Sequence, residues 1–182
     1  MYIPVYMASL SMPHQAIRVL ATGGTFDKEY NELTGELFFK STHIGDMLQL
    51  GRCHLEVEIE TLMMIDSLNM TDADRRLILE RCRAVPEERI VITHGTDTMA
   101  ETAAVLGGGL KGAARTVVLT GAMVPYQFGS SDGMFNLGTA LGFVQTLPAG
   151  VYVAMNGRCF PWDSVRKDKK RGVFEPLPRS RK

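Results

Sequence analysis

Two short hydroxyl-rich runs, Ala21-Thr22-Gly23-Gly24-Thr25 and Thr93-His94-Gly95-Thr96-Asp97-Thr98, each follow an apolar segment of β character, Ile17 to Leu20 and Ile90 to Ile92. A strand that ends in glycine and then a reactive hydroxyl lifts that hydroxyl out of the sheet edge. Bare backbone N–H groups then lie beside it to meet developing negative charge. Taken together, the two runs predict a threonine-nucleophile amidohydrolase. Taken singly, each has a duller reading, Thr25 as a turn residue and Thr96 with Asp97 as a helix N-cap.

Apolar periodicity supplies the elements that must position these groups. Val, Ile and Leu mark strands at 16–21, 55–65, 89–93, 115–120 and 150–155. Three helical patterns lie between them. One starts at Thr71, with Asp74 completing an imperfect capping box, and stops at Pro86. A second runs over 98–106 and is expected to end at Gly107-Gly108-Gly109 with a left-handed cap. The third spans 133–147, with Asp132 as an acidic N-cap and Pro148 beyond its end. Alternating strands and helices predict an α/β fold: a single three-layer domain with a mostly parallel twisted sheet flanked by helices.

In such sheets ligands gather outside the carboxyl ends of the strands. Thr22 and Thr25 follow the first strand, Asp66 and Ser67 the second, and Thr96 and Asp97 the third. Gly121 to Asp132 follow the fourth and Asn156 to Lys167 the last. These loops, distant in sequence, are expected to form one pocket.

At 182 residues and 45% hydrophobic, the chain can bury one good core. Twenty basic side chains balance twenty acidic ones, so no overall field favours nucleic acid or an anionic membrane, and a small-molecule substrate is expected. Cys53, Cys82 and Cys159 are odd in number, widely spaced and without nearby histidine ligands, which predicts a reducing compartment and no metal. Nothing resembles a signal peptide or a membrane span, so a cytoplasmic location is expected. Residues 1–14 read as a disordered extension, 15–178 as the catalytic domain and 179–182 as a basic tail. Gly107 to Gly112 fit the pattern G-x-G-x-x-G but leave a helix and enter a strand, the reverse of what a pyrophosphate site needs. No cofactor is expected.

From about Ile17 to Lys170 the sequence resembles the bacterial-type L-asparaginases. Ala21 to Thr25 look like that family's first signature, and Val91-Ile92-Thr93-His94-Gly95-Thr96-Asp97-Thr98-Met99 like its second. Ser130-Ser131-Asp132-Gly133-Met134-Phe135-Asn136-Leu137 are similar to a third, and Met155-Asn156 with Val165-Arg166-Lys167 to a fourth. The resemblance covers the family's N-terminal domain; its smaller C-terminal domain has no counterpart in these residues.

The resemblance implies roles. Thr25 would be the nucleophile, with Tyr30 on a mobile loop as its hydrogen-bonding or deprotonating partner. Thr96, Asp97 and Lys167 would form a second cluster, Lys167 acting through Thr96 as base to an attacking water. Ser67, beside Asp66, would bind the substrate carboxylate and Asp97 its ammonium. Gly95, Thr96 and Ala122 would line the site, with N–H groups near Thr96 and Ala122 as the oxyanion hole. Leu68 stands where the family usually has a polar amide, so one substrate contact is expected to be absent. His94 reads as a satisfied strand-end histidine.

The implied reaction is hydrolysis of the L-asparagine side-chain amide to L-aspartate and ammonia. Alternatives from the same residues are a non-catalytic asparagine- or aspartate-binding module, or hydrolysis of glutamine or another amide. A homodimer or higher homo-oligomer is expected, in which Glu32, Glu36 or Glu175 of a neighbour could replace the acidic group of the missing domain; otherwise the site is partly open.

Overall fold

The computed structural model describes residues 16–177; the expectations for residues 1–14 and 179–182 lie outside the described residues. Five strands, β1 (Ile17–Gly23), β4 (Val57–Ile65), β5 (Arg89–Thr93), β6 (Thr116–Thr120) and β7 (Gly150–Met155), pair in parallel. An antiparallel edge strand, β8 (Arg158–Pro161), completes a six-stranded sheet of order β4-β1-β5-β6-β7-β8. Two small hairpins stand apart from it: β2 (Lys28–Asn31) with β3 (Glu36–Phe39), and β9 (Val165–Asp168) with β10 (Val173–Pro176).

Side chains alternate between two cores, which is why both faces of the sheet need helices. Leu20, Ile90, Ile92, Val117, Leu119, Val151 and Val153 point into one core, under α2 (Asp72–Ala84) and α3 (Met99–Gly109). Val19, Ala21, Val91, Val118 and Ala154 point into the other, under α1 (Ile44–Leu50) and α4 (Gly133–Thr146). The three layers follow directly from this alternation.

The helix ends show how local chemistry works. Thr71 and Asp74 do form a reciprocal capping box: the Asp74 carboxylate accepts the Thr71 N–H at 2.7 Å, and the Thr71 hydroxyl oxygen accepts the Asp74 N–H at 3.3 Å. The expected glycine stop of α3 is overturned, because the helix continues through Gly107, Gly108 and Gly109. A Cβ on Gly107 would lie 2.2 Å from the Trp162 ring, and one on Gly109 would lie 2.4 Å from Leu79. Those glycines therefore admit neighbours against the helix, and the left-handed residue comes later, at Gly112 with φ +80°. Asp132 sits at the N-cap of α4, yet its carboxylate turns away from that helix's first N–H groups. It accepts the N–H of Met123 and of Val124 instead.

Several elements escape the sequence reading. Asn156 and Gly157, both at positive φ, make the two-residue turn between β7 and β8, where a plain loop is expected. Residues 25–50 hold a hairpin and α1 in place of an unassigned connection. Their strands, four residues each, are too short to show periodicity.

Candidate active site

β1 lies between β4 and β5, and the chain leaves it toward β4 on one side while β5 feeds β6 on the other. The carboxyl ends of β1 and β5 therefore flank the topological switch point, where a crevice opens in doubly wound sheets. Both hydroxyl-rich runs emerge there.

Glycine makes their approach possible. β1 ends in Gly23 and Gly24 at φ +88° and +75°, each pressed on backbone: a Cβ would lie 2.6 Å from Ile65 N in the first case and 2.3 Å from Gly95 N in the second. Gly95 in turn packs on Ser67, whose Oγ would be 2.5 Å from an added Cβ. Gly121 rests on the His94 carbonyl and the Thr96 methyl, at 2.4 and 3.3 Å by the same measure. Four strand ends are thus in contact through positions where no side chain fits.

Thr25 opens a single 3₁₀ turn, Thr25–Asp27, and is half-buried; its hydroxyl has no hydrogen-bond partner among the described residues. Asp27 behind it is buried, accepting the Thr42 hydroxyl at 3.1 Å and the His43 N–H at 2.9 Å. Burial pushes the Asp27 carboxyl above its ordinary range, with those two hydrogen bonds pulling the other way. Thr22 is a structural hydroxyl, donating to the Thr93 carbonyl at 2.7 Å.

Lys167 donates to Thr96 Oγ1 and to Asp97 Oδ1, each at 2.7 Å. The Lys167 side chain is 8% exposed, so this ammonium is held largely away from water. Strand alternation explains how it arrives. Val165 and Lys167 share a face of β9, and Phe174 pairs with Lys167 across the hairpin. Val165 and Phe174 are buried in the core beside α3, which docks the hairpin and turns Lys167 inward. On the other face Glu175 binds Arg166 at 2.5 Å, so it is already engaged within its own hairpin.

Ser67 is buried, and its carbonyl accepts the Thr98 hydroxyl at 2.8 Å. Asp66 caps the Ser67 turn by accepting the Leu68 N–H at 2.9 Å, and its second oxygen pairs with the Lys28 ammonium. Burial opposes its ionisation, but Lys28 and the Leu68 N–H outweigh that and hold the Asp66 carboxyl below its ordinary value. Ala122 is buried, and the loop around it is braced by α4: Asn136 Nδ2 donates to the Gly121 carbonyl at 2.8 Å, and Asn136 Oδ1 accepts the Asn156 N–H at 3.0 Å. His94 is fully buried between the Gly95 carbonyl at 2.7 Å and the Thr102 hydroxyl at 2.8 Å, and burial pushes it down to about 4. It is neutral at pH 7, as a strand-end structural histidine should be.

The structure thus brings Thr96, Asp97 and Lys167 into direct contact, packs Ser67 on the adjoining Gly95, and ties Asp66 to the start of the Ser67 turn. Tyr30 is not joined to Thr25: it is 58% exposed, and its hydroxyl lies by Gly35 at the hairpin tip, 3.9 Å from where a Cβ would stand. Asp27 and Lys28 escape sequence reasoning because the partners that give them meaning, His43 and Asp66, are read only in three dimensions.

Residues 16–173 match the family described as asparaginase, N-terminal. The chain is 36% identical over 164 residues to the L-asparaginase of Thermococcus kodakarensis, covering 85% of this chain and 48% of that protein. It is 28% identical over 162 residues to a glutamyl-tRNA(Gln) amidotransferase subunit of Aeropyrum pernix, covering 85% of this chain and 38% of that one. The solved structure of the thermostable L-asparaginase from Thermococcus kodakarensis superposes with a TM-score of 0.77 at 30% identity, over 90% of this chain and 51% of that one. The chain therefore spans about half the length of the L-asparaginase it resembles. With its two hydroxyl-bearing signatures meeting at the switch point of the sheet, the chain belongs to the asparaginase family and matches that family's N-terminal domain.

Proposed function

We propose that the chain hydrolyses the side-chain amide of L-asparagine to L-aspartate and ammonia, with Thr25 as nucleophile. The observation that carries this reading is the Lys167 ammonium bound to both Thr96 and Asp97, in the run whose Gly95 packs against Gly24, the residue before a Thr25 whose hydroxyl has no partner among the described residues. In the first half-reaction Thr25 Oγ1 bonds to the amide carbon, the C–N bond breaks, and the hydroxyl proton leaves with ammonia. In the second, water held at Thr96 and oriented by Lys167 splits the ester, restoring the Thr25 hydroxyl. The N–H groups near Thr96 and Ala122 face the carbonyl oxygen as charge develops. Asp97 has one oxygen on Lys167 and offers the other to the substrate ammonium, while Ser67 receives the carboxylate. Tyr30 would act only if its hairpin folded inward.

The test is ammonia release from L-asparagine by the wild type and by Thr25→Ala and Thr96→Val. Each variant is expected to lose at least about 10³-fold in kcat/KM while keeping its far-UV spectrum. Near wild-type turnover in either would remove that residue from the mechanism. Light scattering on the same preparation is expected to show a homo-oligomer, and a cytoplasmic setting suits the free cysteines.

The likeness to an amidotransferase component supports a second reading, in which the chain hydrolyses glutamine or a bulkier amide as one part of a larger enzyme. Comparing asparagine with glutamine in the same assay separates the two.

A further inference from the structure

Lys28 opens β2, three residues beyond Thr25, and its backbone N–H closes the turn onto the Thr25 carbonyl. Its side chain is 18% exposed and reaches the wall formed by the Ser67 turn, where the ammonium pairs with Asp66. The Phe39 ring lies alongside, 5.9 Å from Nζ to the ring centre. Asp66 spends its other oxygen on the Leu68 N–H. One carboxylate therefore ties the Lys28 ammonium to the backbone of the Ser67 turn.

The polar inventory of that wall is short. Leu68 presents an apolar side chain, 65% exposed, and its N–H is already taken by Asp66. Lys167 is engaged by Thr96 and Asp97. An ammonium has three N–H donors, and Asp66 uses one of those on Lys28. A cation with donors to spare is thus held by the carboxylate of the residue that precedes Ser67. A carboxylate docking at Ser67 needs such charge-assisted donors, the more so where Leu68 supplies none.

We propose that Lys28, together with Ser67, holds the α-carboxylate of the amino acid amide and so restricts the site to amides that carry an anionic group. This rests on the amidohydrolase reading above. Asp66 keeps the ammonium poised at the Ser67 turn, and the hairpin that begins at Lys28 becomes part of the substrate-binding wall. Lys28 is thereby a specificity residue, and the chemistry at Thr25 is left to other groups.

Calorimetric titration in a Thr25→Ala background, which holds ligand without turnover, compares L-asparagine with 3-aminopropanamide, the same amide without its α-carboxylate. Lys28→Met is expected to weaken asparagine binding at least about tenfold and to change 3-aminopropanamide by less than about twofold. Lys28→Arg, which keeps the charge, should retain most of the preference for asparagine. Asp66→Asn preserves the oxygen that caps Leu68 but loosens the hold on Lys28, so asparagine affinity should fall while 3-aminopropanamide changes by less than about twofold. If Lys28 were only a clamp on Asp66, Lys28→Met and Asp66→Asn would weaken both ligands alike, and that result overturns the proposal. Binding of asparagine that is unchanged in Lys28→Met removes the carboxylate anchor alone. A parent that binds neither amide removes the asparaginase reading and the anchor with it.

Discussion

His94 and Lys167 both stand at the mouth of the sheet, yet their surroundings give them opposite duties. Lys167 meets an anion and a hydroxyl at 2.7 Å each, whereas His94 meets a carbonyl, a hydroxyl and the Met70 sulfur with no counter-charge. Burial lowers His94 from 6.5 to about 4. Between those values the unfolded chain binds more protons than the folded one, so stability is full above 6.5 and falls as pH drops toward 4. The loss from this one group should reach about 2 kcal/mol near pH 5. Urea unfolding near pH 7 and near pH 5 measures it, and His94→Asn, which keeps a donor for the Gly95 carbonyl, should flatten that slope. A slope unchanged in the variant would place the titration elsewhere. Thr25, Thr96 and Asp97 could be proposed from the sequence because each sits in a short hydroxyl-bearing run after a strand, whereas Lys167 lies in a charge run and is singled out only by the family resemblance; its contact with Thr96 and Asp97 is read only in three dimensions. Lys28 was not legible, because its meaning comes from Asp66, 38 residues away.

Glycine in a helix has no fixed sign, and α3 contains both cases side by side. Ordinarily glycine costs about 1 kcal/mol against alanine in a helix interior. Gly108 has nothing within 4 Å of an added Cβ, so Gly108→Ala should stabilise by roughly 0.5–1 kcal/mol. Gly107 meets the Trp162 ring at 2.2 Å, so Gly107→Ala must displace an indole and should destabilise by roughly 1–3 kcal/mol. Thermal melts of the two variants should move in opposite directions; a matching rise in both would show that the indole yields freely. The same residues explain what sequence could reach at this scale. Long buried runs such as Arg89–Thr93 and Gly150–Met155 coincide with the expected strands, because burial on both faces leaves an unbroken apolar signal. The hairpins carry no such signal. Their turns do carry local chemistry, Asn31 with Gly35 in one and Asp168 with Gly172 in the other, as Asn156-Gly157 does between β7 and β8, but turn residues without a periodic strand on either side do not announce a hairpin.

A site built from strand ends belongs to the whole fold, since its parts run from Gly24 to Lys167 and only the sheet brings them together. The sequence order of the loops was readable, but not the strand order that seats β1 beside β5, because parallel pairing is set by packing between distant segments. Lys167 is the most remote contributor, delivered by a hairpin outside the main sheet and anchored by Val165 and Phe174. That anchor should couple packing to chemistry. Phe174→Ala removes a ring that is 3% exposed, at a cost of roughly 3–5 kcal/mol if the whole domain must unfold to relieve it. The hairpin can instead lift from α3 locally, which relieves the cavity and withdraws the ammonium from Thr96. Amide hydrogen exchange should then accelerate over residues 165–176 while β1, β5 and β6 keep their protection, and ammonia release should fall further than the unfolded fraction accounts for. Uniform acceleration across the sheet, with activity tracking the folded fraction, would mean that the hairpin and the core open as one unit.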